Sequence, residues 1–255
     1  MSIDASGVVT SYHDGLLGRI RSRSLGAVRA GVPEVVLVHG MTACDYLLPS
    51  LTAMATWTRV HLIDLPGCGG SGDPPHELTV EEFADAVTDW LEHRRLHRAI
   101  LAGHSSGTQV AAATALKRPD DDLAGVVLAS PVFDPAYPGL ARVLHRWLLD
   151  LTREPAGLER VNRRERKRAG LRRLVHVLRV HRRYRLSDAV TALRVPVLVI
   201  RAHDDALSTP GWAGRLAALA TEGGRVEVPG PHTFCWRDPD AWSNPVRAFA
   251  EAQRG

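Results

Sequence analysis

Five short apolar runs constrain this 255-residue chain more than any other feature. They are Val35-Val36-Leu37-Val38, Val60-His61-Leu62-Ile63-Asp64, Ala99-Ile100-Leu101-Ala102, Val126-Val127-Leu128-Ala129 and Pro196-Val197-Leu198-Val199-Ile200. Most are rich in β-branched residues, and none shows the apolar–polar alternation of a strand with one wet face. Helical patterns separate them. Thr79-Val80-Glu81-Glu82 has the form of a capping box, and Val80, Phe83, Val87, Trp90 and Leu91 follow at helical spacing. The pattern predicts an α/β fold with a mostly parallel central sheet flanked by helices. Residues 7–29 read as an antiparallel hairpin at the sheet edge. Asn244-Pro245 reads as the N-cap and first residue of a final helix.

The third run ends in Gly103-His104-Ser105-Ser106-Gly107, and the Ala-rich stretch from Thr108 to Leu116 follows. G-x-S-x-G arises by chance in about one chain in ten of this composition, so context decides its meaning. Here a buried strand precedes it and a helix follows, the setting of a nucleophile elbow. Ser105 alone fits the frame, because Ser106 is flanked at the glycine positions by His104 and Thr108. A serine needs a base, an orienter for the base and a place for the oxyanion. Gly230-Pro231-His232 follows the apolar Val226-Glu227-Val228 and puts His232 on a loop at the sheet's C-terminal edge. The loop after Val197–Ile200 holds Asp204 and Asp205, either of which could also cap the helix starting near Pro210. Asp134 is a third acid candidate, with a competing reading as the turn residue of Phe-Asp-Pro. The first run ends in His39-Gly40-Met41, where glycine permits close backbone approach.

These marks, with Leu37-Val38-His39-Gly40 and the D-x-x-G-x-G-x-S-like segment Asp64 to Ser71, resemble the α/β-hydrolase superfamily from about Val35 to the C-terminus. The resemblance implies the order Ser, acid, His: Ser105 as nucleophile, Asp205 as acid with Asp204 as alternate, and His232 as base. The family's acid pattern is roughly G-x-x-D, and Ala202 stands where its glycine is expected. The Met41 and Ser106 amides would form the oxyanion hole, and His39 would brace its loop. Asp64 to Ser71 would be a structural turn. Serine at the elbow argues against the haloalkane dehalogenases and epoxide hydrolases, which use a carboxylate. The lack of an HGGG segment argues against hormone-sensitive-lipase-like esterases. The implied activity is a cofactor-free, metal-free serine esterase or thioesterase. Carbon–carbon bond hydrolysis and haloperoxidase- or lyase-like reactions are alternatives on the same fold. A ligand-sensing or partner-binding protein that retains a hydrolase site is an alternative of another class.

Between residues 131 and 187 the pattern changes. Pro131, Pro135 and Pro138 mark a hinge, and Arg- and Leu-rich helices follow, with Leu171, Leu174, Val175 and Leu178 as an apolar stripe. This predicts a helical cap at 131–187 inserted into a core of 1–130 and 188–255. From Arg142 to Arg194, 15 Arg and Lys167 face five carboxylates, a net of +11, which leaves the rest of the chain at −7. Cap arginines could therefore steer an anionic small-molecule ester or acyl substrate, including a CoA thioester or an acyl carrier. A solvated face written in arginine by a GC-rich bacterial genome is the competing reading. The only aromatics among these arginines are Trp147 and Tyr184, which argues against nucleic acid. A membrane partner is not expected either. Met1 to Arg23 lacks the apolar run of a secretory signal. Cys44, Cys68 and Cys235 have no metal-ligand spacing. The expected setting is cytoplasmic, with the thiols reduced.

Overall fold

The computed structural model describes residues 2–136, 139–154 and 156–253. It opens with β1 (Ser2–Ile3), β2 (Val9–Gly15), β3 (Gly18–Leu25) and β4 (Val35–Val38). A short 3-10 turn at Asp45–Leu47 leads into α1 (Leu48–Met54), and β5 (Val60–Asp64), α2 (Val80–Arg94), β6 (Ala99–His104), α3 (Gly107–Ala115) and β7 (Leu123–Ala129) follow. Three helices come next: α4 (Leu140–Leu151), α5 (Ala156–Arg183) and α6 (Leu186–Ala192). The chain then returns through β8 (Val197–Ala202), α7 (Pro210–Leu219), β9 (Gly223–Val228), α8 (Phe234–Arg237) and α9 (Asp240–Ala252).

The described strands form one sheet in the order β1-β2-β3-β5-β4-β6-β7-β8-β9. Pairing is antiparallel from β1 through β3 to β5 and parallel from β5 to β9. The predicted edge hairpin is β2–β3. Because the parallel strands β4 to β8 are buried on both faces, while β9 at the edge is mostly exposed, alternate residues feed two separate cores. Val36, Val38, Leu101, Val126 and Val199 pack under α2, α3, α6 and α7. Val35, Leu37, Ile100, Val127 and Ile200 pack under α1, α8 and α9. The predicted capping box is present: Thr79 accepts from the Glu82 N–H, and Glu82 accepts from the Thr79 N–H. The chain leaves β4 for β5 on one side, then crosses to β6 on the other. The C-terminal ends of β4 and β6 thus flank the point where strand order reverses, the usual site of a ligand crevice in open α/β sheets.

Two sequence expectations need correction. The final helix starts at Asp240, and Pro245 lies inside it. Burial of Trp242, Val246 and Ala250 on one stripe outweighs the single backbone hydrogen bond that a proline removes. The stripe in α5 does not face the core: Leu171 is 75% and Val175 55% exposed. The inward face carries Val177 together with polar groups. His176 bonds to the Leu78 carbonyl, Arg173 Nη1 donates to the Gly67 carbonyl, and His181 pairs with Gln109. α5 also breaks at Gly170, whose φ of 79° and ψ of 156° are not helical, so periodicity does not run through it. Pro138 of the expected hinge lies outside the described residues.

Candidate active site

The site begins at the elbow between β6 and α3. Ser105 has φ 56°, in the left-handed region, and its N–H donates to the Ala129 carbonyl at the end of β7. The turn has no room for flanking side chains. A Cβ on Gly103 would lie 2.4 Å from the Gly107 carbonyl oxygen, and one on Gly107 would lie 2.3 Å from the Val38 oxygen. The β4 loop comes equally near, since a Cβ at Gly40 would stand 2.8 Å from that of Ser105.

His232, on the loop after β9, reaches the serine. Its Nε2 lies 2.9 Å from Ser105 Oγ, and its Nδ1 lies 2.9 Å from Asp205 Oδ2. All three residues are buried. The loop after β8 holds Asp205 tightly, because its Oδ1 accepts from the Leu207 and Ser208 N–H groups at 2.7 and 2.8 Å. Asp204, one residue earlier, is exposed and pairs with His203. Asp134 is buried elsewhere, bonded to Arg215 and Thr209. Thr209, not an aspartate, caps α7 through the Trp212 N–H. Burial alone would lower the His232 imidazole. The Asp205 carboxylate outweighs it, Asp150 and Glu154 add to the pull, and the pKa rises to about 9. Burial would raise the Asp205 carboxyl, but the adjacent imidazole holds it low.

The predicted oxyanion donors lie on either side of the serine. The Ser106 N–H has no acceptor among the described residues. The Met41 N–H is engaged: it donates to Ser106 Oγ at 2.9 Å. Met41 and Thr42 have φ of 42° and 67°, consecutive left-handed residues that turn their loop toward the elbow. His39 braces that loop, its Nε2 accepting from the Leu65 N–H at 3.1 Å. The segment Asp64 to Ser71 is a structural turn. Asp64 is buried between Arg21 and Arg23 and accepts from the Gly70 N–H, while Ser71 Oγ donates to the Asp64 carbonyl.

Sequence reading missed several neighbours. His104 ties the two loops together. Its Nε2 bonds to the His232 carbonyl and must donate there, because a carbonyl only accepts. Burial, with His232 nearby, lowers its pKa to about 3 and keeps it neutral, so Nδ1 accepts from the Tyr46 hydroxyl. The Tyr46 oxygen in turn accepts from the Gly40 N–H. The helical insertion supplies carboxylates at the same site. Glu165 accepts from the Cys44 and Asp45 N–H groups at the end of the Met41 loop. Glu154 accepts from the N–H and hydroxyl of Thr233, and Asp150 Oδ1 accepts from the His232 N–H at 3.4 Å. Against a net charge of +11, five carboxylates look like a mere subtraction. The one signal was the i, i+4 spacing of Asp150 and Glu154.

These groups open on a cavity of about 480 Å³, the size of a small-molecule site. Ser105, His104 and His232 line it together with Trp147, Asp150, Glu154 and Asn162 of the insertion. Of the insertion's basic residues only Arg166 lines it, among the described residues. Others fasten the insertion to the acidic body: Arg172 to Glu77, Arg173 to Asp73 and Arg153 to the Asp204 carbonyl. Part of the charge split along the sequence is thus internal complementarity. The described residues hold no group of three or more metal-ligating side chains and no helix long and apolar enough to cross a membrane.

Known proteins show the fold and the family. A 1-acylglycerol-3-phosphate O-acyltransferase from Arabidopsis thaliana is 38% identical over 98 residues, which is 36% of this chain and 23% of that protein. The match therefore spans about a quarter of that relative's length. The enol-lactonase from Burkholderia xenovorans LB400 superposes with a TM-score of 0.75 at 21% identity, covering 94% of this chain and all of that one. An esterase from Exiguobacterium antarcticum superposes with a TM-score of 0.81 at 15% identity, covering 95% and 100% of the two chains. At those identities the likeness is one of fold. The model of the alpha/beta hydrolase family matches residues 35–252, from β4 through the last residue of α9, and the chain belongs to that family.

Proposed function

We propose that the protein is a serine hydrolase that cleaves a carboxylic ester or thioester through an acyl-enzyme. Ser105 Oγ attacks the carbonyl carbon while His232 Nε2 takes its proton. Asp205 holds the imidazole with Nδ1 protonated and stabilises the imidazolium without taking the proton itself. His232 then protonates the leaving alcohol or thiol. Water repeats the sequence on the acyl-enzyme, releasing the acid and restoring the Ser105 hydroxyl. The Ser106 and Met41 amides receive the oxyanion, each worth about 3–4 kcal/mol in the transition state. For Met41 this requires the Ser106 hydroxyl to rotate away from the Met41 N–H, where it rests. Residues 131–187 act as the cap that closes the acyl site.

The observation that carries this reading is the unbroken hydrogen-bonded chain Asp205–His232–Ser105 at the wall of a cavity. A lactonase and an esterase among proteins of like fold support oxygen esters as the first substrates to try. The test is labelling with a fluorophosphonate followed by peptide mapping, alongside hydrolysis of 4-nitrophenyl esters. The expected result is a single adduct on Ser105 and turnover that the Ser105→Ala protein lacks. Folded protein that takes no adduct at or above pH 9, where the imidazole is neutral, overturns the reading.

A further inference from the structure

The part of the cavity wall that the insertion supplies offers more hydrogen-bond acceptors than donors. Asp150 and Glu154 both line it, and no Arg, Lys or His side chain lies within ion-pair distance of either among the described residues. Their partners are the backbone N–H of His232, the N–H and hydroxyl of Thr233, and each other, through a hydrogen bond between the two carboxyl groups. Two carboxylates accept up to about eight hydrogen bonds, so part of that capacity is unused. Asn162 lines the same cavity. It is 6% exposed, and its Oδ1 is buried with no donor. A buried acceptor left bare inside a site calls for a partner that arrives with the ligand. Among the described residues the one cation on this wall is Arg166, which is paired with Glu159 at 3.3 Å and lies over the Trp147 ring.

We propose that this wall recognises a protonated primary amine carried by the substrate, beside the ester carbonyl that Ser105 attacks. An ammonium brings three donors and no acceptor, which suits Asp150, Glu154 and Asn162 Oδ1. Trp147 adds an aromatic face at the edge of the same cavity. The electrostatics agree. Burial, with Asp205 and Glu154 adding to it against the pull of His232, raises the Asp150 carboxyl to about 7. An arriving cation relieves that repulsion, and an arriving carboxylate or phosphate aggravates it. The wall therefore selects against the anionic substrates that the net charge of the segment invites. The hydrolysis itself leaves the amine unchanged.

This proposal rests on the hydrolase reading for the placement of the scissile bond, and two measurements separate them. The first compares 4-nitrophenyl esters of β-alanine, butanoic acid and succinic acid, which differ by an ammonium, a methyl and a carboxylate at one position. The expected kcat/KM is about tenfold or more higher for the β-alanine ester than for the butanoate, with the succinate lowest. Asn162→Leu and Glu154→Gln should shrink that ratio, which each protein reports against its own butanoate rate. The second measures binding of methyl β-alaninate and methyl butanoate to the Ser105→Ala protein by calorimetry, with no chemistry involved. Tighter binding of the ammonium ligand is expected. Equal binding, or a butanoate ester cleaved as well as the β-alanine ester, overturns the amine site and leaves the hydrolase reading standing. Ammonium-selective binding without turnover of any ester does the reverse.

Discussion

At the C-terminal rim of the sheet, Ser105, Asp205 and His232 stand on loops that leave β6, β8 and β9. β6 and β8 are buried on both faces, and two apolar cores clamp the rim from either side. On the insertion's part of the cavity wall, Asp150 stands on α4, Asn162 on α5 and Glu154 on the turn between them, and these helices leave Leu148, Leu171 and Val175 open to water. Polar contacts tie this wall to the body: Glu165 to two backbone N–H groups, Glu154 to Thr233 and Arg173 to a carbonyl. Apolar burial holds the rim to fixed distances. The wall hangs mainly on bonds that water can replace at a net cost of about 1 kcal/mol each, with Leu158 and Val177 as its buried apolar anchors. Chemistry sits where position is rigid, and selection sits where it can be retuned.

Substitutions on the rim should therefore give abrupt losses, and those on the wall graded ones. The largest expected effect is Ser105→Ala, which should lower kcat by about 10⁶-fold with the circular dichroism unchanged. Next is the contrast of neighbours: Asp205→Asn should cost about 10⁴-fold. Asp204→Asn, exposed and outside the hydrogen-bonded chain, should leave the rate within about threefold of the parent protein. An equal loss for both would reassign the acid.

The pH dependence links rim and wall. With the His232 pKa raised to about 9, the neutral base is scarce at pH 7. A pH profile of kcat/KM should climb about a hundredfold to a plateau above pH 9. Asp150→Asn removes one of the carboxylates that stabilise the imidazolium, so its profile should have a lower midpoint. Stability runs the other way. The contribution of the raised imidazole is complete below its ordinary 6.5 and is lost as pH rises through about 9.

Smaller effects belong to the wall. Glu165→Ala strands the Cys44 and Asp45 N–H groups and should cost about 1–3 kcal/mol, a drop of a few degrees in Tm, with kcat down about tenfold as the Met41 loop loosens. Arg172→Ala breaks only an exposed pair with Glu77 and should cost less than about 0.5 kcal/mol by the same thermal melt. Either one matching Asp205→Asn in kcat would break the comparison. The exception on the rim is Ser106→Ala, the smallest effect of all, which removes a hydroxyl outside the Asp205–His232–Ser105 chain and frees the Met41 N–H from its resting partner. Steady-state kinetics should show kcat unchanged or raised up to about threefold; a tenfold loss would make the Ser106 hydroxyl itself a donor to the oxyanion.

The same division decides what could be read from the chain before its structure. Val35–Val38 and its companions announce a buried parallel sheet because burial on both faces leaves no polar position to confuse the pattern. Ser105 is legible because only two glycines fit the elbow, and His232 because the last strand delivers it to the rim. Asp204 and Asp205 are adjacent and chemically alike, and the Asx turn made with Leu207 and Ser208 picks between them only in three dimensions. In α5 the buried face mixes Val177 with Arg173, His176 and His181, so the apolar stripe points outward instead. Asp150, Glu154 and Glu165 vanish into a charge total, since most of their partners are backbone N–H groups that carry no residue-type signature.

The insertion leaves the sheet after β7 and re-enters at β8, and those two strands are neighbours, with Val126 beside Val197 and Ala129 beside Ile200. The ends of the excursion are thus already joined by the sheet, so its length enters stability only through loop-closure entropy. Doubling that length would cost about 0.6 kcal/mol. The helices between can be lengthened, shortened or exchanged while the strand register beneath Ser105 stays as it is. One hydrolytic rim can in this way be paired with many different walls, and the substrate can change while the reaction does not.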